Sequence, residues 1–323
     1  MHKLQDLLPV VQQALDAIDY PQAPAELYTP IQYELSLGGK RIRPVLTLMA
    51  CEMFGCDYHY ALDAAVGIEM FHNFTLLHDD VMDKADMRRG KPTVHIRWNE
   101  NTAILSGDAM QILAYMQVMK SPAAVRDVVC VVFLQTALEI CEGQQYDMEF
   151  ETRQDVREEE YIEMIRLKTA VLLGGALKIG ALIAGASDDD ARRLYDFGIN
   201  IGLAFQLRDD YLDVYGDAKT FGKNIGGDIL NNKKTYMLIN AQRLAQGAER
   251  DELIHWLAID DKPDEKIAAV TALYNRLGVD ALCLEKIDTY YAEAMKQLDA
   301  LSVEKLQTEM LRELAMSLMQ RNS

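Results

Sequence analysis

Two short aspartate clusters have the residue types and spacing best suited to chemistry. Each has the pattern Asp-Asp-x-x-Asp and follows an apolar run: Asp79, Asp80 and Asp83 form the first cluster, and Asp209, Asp210 and Asp213 form the second. On a helix, the first and last aspartates of a cluster lie one turn apart on the same face, where their like charges repel. Bound Mg²⁺ would explain this arrangement, because it prefers carboxylate oxygens and is usually held by one or two of them together with substrate phosphates.

The alternative for either cluster alone is a solvated acidic helix face that accepts the repulsion. Two such clusters, each followed by basic residues, favour the metal-binding interpretation. A calcium loop of the EF-hand type is excluded, since its ligand spacing is absent at both places.

Basic residues are concentrated near the clusters and in one further turn. The stretch GGKRIRP (38–44) has two glycines that let the backbone approach a ligand closely, followed by three cations. The stretch RRGKP (88–92) comes shortly after the first cluster, and the second is surrounded by Lys168, Lys223, Lys233 and Lys234. Arginine can bind phosphate oxygens through two parallel hydrogen bonds, and lysine acts as a point charge. These positions predict a polyphosphate substrate.

The elements that must position these residues are predicted to be helices. Half of the residues are apolar, and no proline occurs between Pro122 and Pro263. That interval is rich in good helix formers, with apolar positions at helical spacing. Breaks are predicted at the glycine-rich or Asp/Ser-rich points 38–39, 55, 186–190 and 226–227. Because no linker divides the chain, residues 1–323 are predicted to form a single, almost entirely α-helical domain.

Composition limits the classes of function. The formal net charge of −17 argues against binding nucleic acid through bulk charge. The five cysteines include no Cys-x-x-Cys pair, so neither a disulfide framework nor a structural zinc site is expected. The N-terminus lacks the apolar core of a signal peptide, and no run reaches the roughly 18 apolar residues of a membrane span. We therefore expect a cytoplasmic protein without a transmembrane segment.

The order of the motifs resembles the trans-type isoprenyl diphosphate synthases, also called polyprenyl synthetases. The motifs are GGKRIRP (38–44), His72, LLHDDVMD (76–83), RRGKPT (88–93), Lys168-Thr169, FQLRDDYLD (205–213), GK (222–223) and NNKKT (231–235). The resemblance implies an all-α bundle around a deep central cavity, usually as a homodimer. It implies that an allylic diphosphate is ionised and joined to isopentenyl diphosphate with three Mg²⁺ ions per active site. Many members have GKPVG where this chain has GKNIG, so the loop shape is expected to differ slightly.

The resemblance also assigns roles. Asp79 and Asp83 match the aspartates that hold two magnesium ions, and Asp209 matches the one that holds the third. The resemblance implies that the allylic diphosphate is contacted by Arg88, Lys168, Gln206, Lys223 and Lys233. It implies that the pocket for isopentenyl diphosphate is formed by Lys40, Arg43, His72 and Arg89. We therefore predict Asp79, Asp80, Asp83, Lys168, Gln206, Asp209 and Lys223 as catalytic residues, and Lys40, Arg43, His72, Arg88, Arg89, Thr169, Asp210 and Lys233 as substrate-binding residues. Without the motif order, His72 would be interpreted as a packed core histidine, and either of the adjacent Lys233 and Lys234 could face the site.

Product length is predicted from the side chains before the first cluster. Phe74 and Thr75 lie five and four positions before Asp79, and one helical turn rises about 5.4 Å, near the length of an isoprene unit. Within the family, a bulky aromatic residue five positions before the first aspartate is typical of short-chain synthases. The first cluster of this chain also lacks the two-residue insertion common in bacterial farnesyl diphosphate synthases. We expect C15 to C20 products, with C20 slightly favoured. The alternative is that Phe74 only packs between helices.

Three other functions share part of this pattern. A longer-chain polyprenyl diphosphate synthase differs only in product length. A terpene cyclase does not need a second diphosphate pocket such as GGKRIRP, and it usually has an Asn/Ser/Glu pattern in place of the second cluster. A non-catalytic partner subunit typically lacks aspartates in one cluster. Both clusters are intact here, which favours a catalytic synthase.

Overall fold

Helices form nearly every regular element, as expected for a chain with few prolines and long runs of good helix formers. The structure is a computed structural model that describes residues 2–216 and 225–319. The first four helices are α1 (Leu4–Asp16), α2 (Ala25–Ser36), α3 (Ile42–Met53) and α4 (Leu62–Met82). They are followed by the four-residue α5 (Val94–Arg97) and by the longer α6 (Glu100–Val118), α7 (Arg126–Thr152), α8 (Glu158–Ile165), α9 (Val171–Ile183) and α10 (Asp188–Tyr215). After the four-residue α11 (Gly227–Leu230) come α12 (Tyr236–Leu244), α13 (Ala248–Leu257), α14 (Pro263–Leu277), α15 (Val279–Asp299) and α16 (Lys305–Met319).

Three short elements interrupt the α-helices. Tyr58–Ala61 is a 3₁₀ turn before α4, and Arg166–Ala170 is a π-helical turn between α8 and α9. Strands β1 (Met87–Arg88) and β2 (Lys91–Pro92) form an antiparallel hairpin, the only sheet in the described part of the chain. The two residues between the strands both have positive φ, 52° and 76°, as a type I′ turn requires. This hairpin could not be predicted from the sequence, because two-residue strands are too short to show an alternating pattern.

The helices are grouped into two compact units, each with its own core. The first contains the described residues up to Gln135, together with 175–195 and 302–307. Its central element is α4, in which every residue from Ala64 to Phe71 is buried. A helix that is buried all round lies at the centre of its neighbours, and α4 packs against α3 and, most extensively, α6. The C-terminal end of α4 carries the first aspartate cluster.

The second unit contains residues 136–174, 196–301 and the described residues from 308 onward. Its core combines α8, α10, α12, α14 and α15, with buried residues such as Tyr161, Leu207, Tyr236, Leu273 and Ile287. The second aspartate cluster lies on α10, so the helices that follow it in sequence supply much of the apolar surface that holds α10. Residues 241–301, which carry no recognisable motif, therefore contribute to the core of this unit.

The all-α prediction is confirmed, and the predicted breaks at 38–39 and 55 fall between helices. The break predicted at 186–190 extends too far, since α9 ends at Ile183 and α10 already begins at Asp188. The single-domain organisation and the central cavity stay predictions. Within the described ranges, no single helix has both the length and the apolarity to cross a membrane; α14 and α15 pass that test only as a pair, and they are bent by 69°.

Candidate active site

The first aspartate cluster lies at the C-terminal end of α4. Asp79 and Asp80 are in its last turn, and Asp83 is the residue that follows the helix as its C-cap. Asp80 is only 2% exposed, and its two oxygens accept hydrogen bonds of 2.7 Å from Nε and Nη2 of Arg88 on the hairpin. Asp79 is half-buried and Asp83 is exposed. The middle aspartate is therefore held by Arg88, while the outer two lie one helical turn apart.

The second cluster, near the end of α10, repeats this arrangement with different partners. Asp210 is 4% exposed and accepts hydrogen bonds from the Tyr161 hydroxyl and, at 3.2 Å, from the backbone N–H of Tyr236. Burial raises the pKa of Asp210 to about 7, and the hydrogen bond from Tyr161 opposes that rise. Asp209 and Asp213 are half-buried, and Asp213 Oδ2 accepts a backbone N–H from α11 at 2.9 Å.

The donor set of both clusters fits Mg²⁺. Each places carboxylates in the last turns of a long helix, where the unpaired carbonyl groups make the potential negative and a cation is favourable. Among residues 2–216 and 225–319, no three His, Cys, Asp or Glu side chains converge into a complete metal cage. Mg²⁺ does not need one, because it commonly takes one or two carboxylates and completes its shell with water and substrate phosphates. Asp79 and Asp83 in the first unit, and separately Asp209 in the second, are the residues predicted to hold magnesium ions.

A buried arginine fixes the glycine-containing turn before α3. Arg41 has a left-handed backbone conformation, with φ of 48°. Its Nη1 donates to Glu69 Oε1 on α4 at 2.6 Å, and its Nη2 donates to the carbonyl of Leu35 at 2.5 Å. Asn73 Nδ2 donates to the same Glu69 oxygen at 2.9 Å. Arg41 therefore joins the turn to α4 and α2.

Arg89 comes to the same turn from the hairpin. Its Nη1 donates to the carbonyl of Gly38. A Cβ added to Gly39 would lie 2.8 Å from Arg89 Nη2, and Gly39 has φ of 138°; glycine is therefore required both for the backbone conformation and for the approach of Arg89. Lys40 is exposed on this turn.

Arg43 is held by a neutral histidine. Arg43 Nη1 lies 3.1 Å from Nε2 of His72. Burial lowers the pKa of His72 well below its usual value, and the positive charges of Arg43 and three further arginines lower it further. Because a guanidinium can only donate, Nε2 of the neutral ring accepts and the ring proton lies on Nδ1. Of the four residues predicted for isopentenyl diphosphate, Arg43 on α3 thus meets His72 on α4. Arg89 on the hairpin meets the turn that carries Lys40.

Lys168 and Thr169 lie in the π-helical turn Arg166–Ala170. Such turns alter the direction of side chains within a helix and are frequent at functional sites. Lys168 Nζ forms an ion pair of 2.6 Å with Asp147 Oδ2. Thr169 Oγ1 donates to Gln206 Oε1 at 3.5 Å, so these two predicted residues meet in the second unit.

The structure distinguishes the two adjacent lysines after the second cluster. Lys233 is exposed, and its positive charge opposes the rise in the pKa of Asp210. Lys234 is buried, and burial lowers the pKa of its own ammonium group. Lys233 is therefore the better placed to meet a substrate. Lys223 lies outside the described residues.

The two residues predicted to set product length have different environments. Phe74 is buried, with its ring 5.3 Å from that of Phe71 and 4.7 Å from that of His78. Thr75 is half-buried, and its hydroxyl donates to the carbonyl of His72 at 2.8 Å. Phe74 therefore has the larger and more deeply buried side chain of the pair.

Sequence reasoning missed the acceptors that hold the predicted residues. Asp147 pairs with Lys168, Tyr161 donates to Asp210, and Glu69 accepts from Arg41. Glu69 had a sequence signal, since it is the one charged residue in the apolar run from Ala64 to Phe71. The other two had none, because their partners are distant in sequence.

Comparisons with known proteins identify similar sequences and structures. The family model described as polyprenyl synthetase matches residues 24–276. A geranylgeranyl diphosphate synthase of Methanosarcina mazei is 45% identical over 233 residues, 72% of each chain. A short chain isoprenyl diphosphate synthase of Methanothermobacter thermautotrophicus is 40% identical over 90% of this chain and 86% of its own. A crystal structure of a geranylgeranyl pyrophosphate synthase superposes with a TM-score of 0.95 at 45% identity and covers 100% of both chains. The chain belongs to the polyprenyl synthetase family, as the order of its motifs predicts.

Proposed function

We propose that this chain joins an allylic diphosphate head-to-tail to isopentenyl diphosphate, giving an all-trans prenyl diphosphate of C15 to C20 and pyrophosphate, with C20 slightly favoured. The observation that carries the proposal is the repeated arrangement of the aspartate clusters, in which the protein holds the middle carboxylate and the outer ones remain one turn apart. The relatives named as geranylgeranyl diphosphate synthases support both the reaction type and the length. Neither a longer-chain synthase nor a non-catalytic subunit is favoured.

In this reaction the C–O bond of the allylic diphosphate breaks, and the double bond of isopentenyl diphosphate attacks the allylic cation to form the new C–C bond. A proton then leaves the product for the departed pyrophosphate. Bound Mg²⁺ would neutralise the charge that develops on pyrophosphate. Arg88, Lys168, Gln206, Lys223 and Lys233 are proposed to bind the allylic diphosphate, and the cations among them stabilise the same charge because they are already in position.

Isopentenyl diphosphate is proposed to bind at the turn before α3. Arg43 is oriented by neutral His72, and Arg89 by the carbonyl of Gly38. Lys40 adds a flexible point charge on the same turn. Two guanidinium groups held in fixed orientations lose little freedom when the diphosphate binds, which favours affinity and a defined pose.

The position of Lys168 depends on a close approach between α7 and the π-helical turn. A Cβ added to Gly143 on α7 would lie 2.3 Å from the backbone nitrogen of Lys168 and 2.8 Å from the carbonyl carbon of Leu167. Both are backbone atoms, so they could give way only by moving the turn itself.

We expect Gly143→Ala to lower kcat by about ten- to hundredfold, because misplacing a catalytic group by about 1 Å has effects of this size. Alanine favours a helix interior more than glycine does, so weakening of α7 itself would not explain the loss. Steady-state kinetics with both diphosphates is the measurement. Glu142→Ala, at the exposed neighbouring position, is the control and should keep normal turnover. Normal kcat in Gly143→Ala would show that the turn does not position Lys168.

For the metal, we expect Asp79→Ala and Asp209→Ala each to reduce kcat by about 10²- to 10³-fold, since each removes a carboxylate proposed to hold Mg²⁺ against the developing charge. Chelation by EDTA should abolish turnover, and added Mg²⁺ should restore it. Asp63→Ala, an exposed aspartate in the first turn of the same α4 helix, should leave turnover unchanged. Turnover that persists in EDTA, or an unchanged kcat in either variant, would contradict the proposed metal role.

For product length, we expect Phe74→Ala to shift products toward longer chains, because it removes a buried ring just before the first cluster. Chromatography of dephosphorylated products from wild type and variant is the measurement. Thr75→Ser, which keeps the hydroxyl that donates to His72, should leave the distribution unchanged. An unchanged profile in Phe74→Ala would mean that the ring only packs, and wild-type products of C30 or longer would contradict the predicted length.

The predicted homodimer has a candidate surface on α6 and α7. Exposed apolar side chains recur on one side of α6 at Leu105, Ile112 and Met116, and on the first part of α7 at Val131 and Leu134. The two helices are in contact, since the rings of Tyr115 and Phe133 lie 5.5 Å apart. Exposed apolar surface of this kind is typical of a protein–protein interface, and the family resemblance implies a second copy of the chain as its occupant.

We expect Ile112→Glu, at a position that is 58% exposed, to convert a dimer to a monomer, because it would bury an unpaired carboxylate in an apolar interface. Light scattering after size-exclusion chromatography measures the mass, and circular dichroism checks the helix content. The matched control is Leu306→Glu, at an apolar position on α16 that is 81% exposed. A monomeric wild type at micromolar concentration, or a dimeric Ile112→Glu, would refute this interface.

A further inference from the structure

One buried carboxylate in the first unit has no role in the proposed reaction. Glu34, on α2, is 0% exposed. Neither of its carboxylate oxygens has a hydrogen-bond partner among the described residues. A carboxylate buried in this way is costly when it is ionised and much less so when it carries a proton.

The charges that act on Glu34 come from three neighbouring elements. Arg41 precedes α3, Arg88 and Arg89 belong to the hairpin, and Asp80 is on α4. Arg41 is already hydrogen-bonded to Glu69, and Arg88 to Asp80 through two bonds. The arginines therefore attract Glu34 through space, without a described hydrogen bond.

The balance of these effects places Glu34 near its ionisation midpoint. Burial and the negative charge of Asp80 raise the pKa of Glu34 to about 7, and the three arginines oppose that rise. The other helices packed against α2 carry His95 and Arg97 on α5 and the exposed Glu100 and Asp108 on α6. Arg97 is stacked on the ring of Tyr33.

Arg89, whose charge acts on Glu34, is also proposed to bind isopentenyl diphosphate. A bound diphosphate is strongly anionic, so it competes with Glu34 for the same positive field. Two anions that share one group of cations raise the energy of each other's charged form. Glu34 can relieve this repulsion by taking a proton from solvent.

We infer that the buried Glu34 carboxylate takes up a proton when isopentenyl diphosphate enters the proposed pocket. The inference rests on the proposed function, since it needs that pocket. Below neutral pH Glu34 is already protonated, and substrate binding requires no further proton there. Above neutral pH the carboxylate is ionised in the free protein, so the apparent affinity for isopentenyl diphosphate falls as pH rises.

The first test compares kinetics between pH 6.5 and 8.5 for wild type, Glu34→Gln and the control Glu26→Gln, an exposed carboxylate on the same α2 helix. In wild type and Glu26→Gln, we expect KM for isopentenyl diphosphate to rise about five- to tenfold across this range, as a shift of about one pKa unit predicts. In Glu34→Gln this rise should be lost, while kcat and KM for the allylic substrate follow wild type. The ionisation of the substrate itself is common to all three proteins and cancels in the comparison. A KM profile of Glu34→Gln that tracks wild type would overturn the inference.

The second test measures protons directly and does not need turnover. Calorimetry of isopentenyl diphosphate binding at pH 8, in two buffers of different ionisation enthalpy, should show proton uptake by wild type and by Glu26→Gln but not by Glu34→Gln. If Glu34→Gln fails to fold, Glu34→Ser takes its place. If both variants fail to fold, the wild-type measurement decides: absence of proton uptake overturns the inference, and proton uptake supports it. Wild type that binds isopentenyl diphosphate with proton uptake but makes no product would instead refute the proposed function alone.

Discussion

The burial of one carboxylate in each aspartate cluster is the constraint on which the rest of the site depends. An ionised carboxylate can be buried only if strong partners replace its water. Asp80 has two hydrogen bonds from Arg88, and Asp210 has the Tyr161 hydroxyl and a backbone N–H. For a buried ion pair such as Asp80–Arg88, removing one partner typically destabilises a protein by about 3–5 kcal/mol. Because side-chain directions on a helix are fixed relative to one another, holding the middle aspartate also sets the rotation of the helix end and thus the direction of the outer aspartates.

The same principle governs the basic turn before α3. Arg41 is buried and is paired there with Glu69, which Asn73 supports through a second hydrogen bond. Once Arg41 is fixed, the glycines before it and Arg43 after it are fixed as well. Arg43 then needs a partner that does not neutralise it, and a histidine whose pKa is lowered by burial and by nearby arginines supplies a neutral acceptor. The turn can therefore present fixed positive charge although the chain as a whole carries −17.

The parts of this structure that depend on local sequence could be predicted, and the parts that depend on distant contacts could not. Helices, their breaks and both aspartate clusters follow from composition and short spacing, and the predicted family, fold class and reaction type are confirmed. The hairpin and the π-helical turn were not predicted, since the first is too short to show a pattern and the second is packed against Gly143 on another helix. The partners of Lys168 and Asp210 lie 21 and 49 residues away, where no local pattern identifies them. The individual roles of the site residues stay predictions.

Two of the cations proposed to bind the allylic diphosphate are already paired with carboxylates of the protein. Arg88 is paired with Asp80, and Lys168 with Asp147 at 2.6 Å. A carboxylate partner reduces the net attraction that each cation offers to a resting diphosphate, which keeps the substrate from being bound too tightly before it reacts. It also fixes the cation, so little reorganisation is needed when negative charge grows on the departing pyrophosphate. The attraction then increases most in the transition state, where the departing group carries more charge than in the ground state. If Arg88 and Lys168 bind the allylic diphosphate as proposed, this acidic protein favours the departure of pyrophosphate through cations that its own carboxylates hold in place.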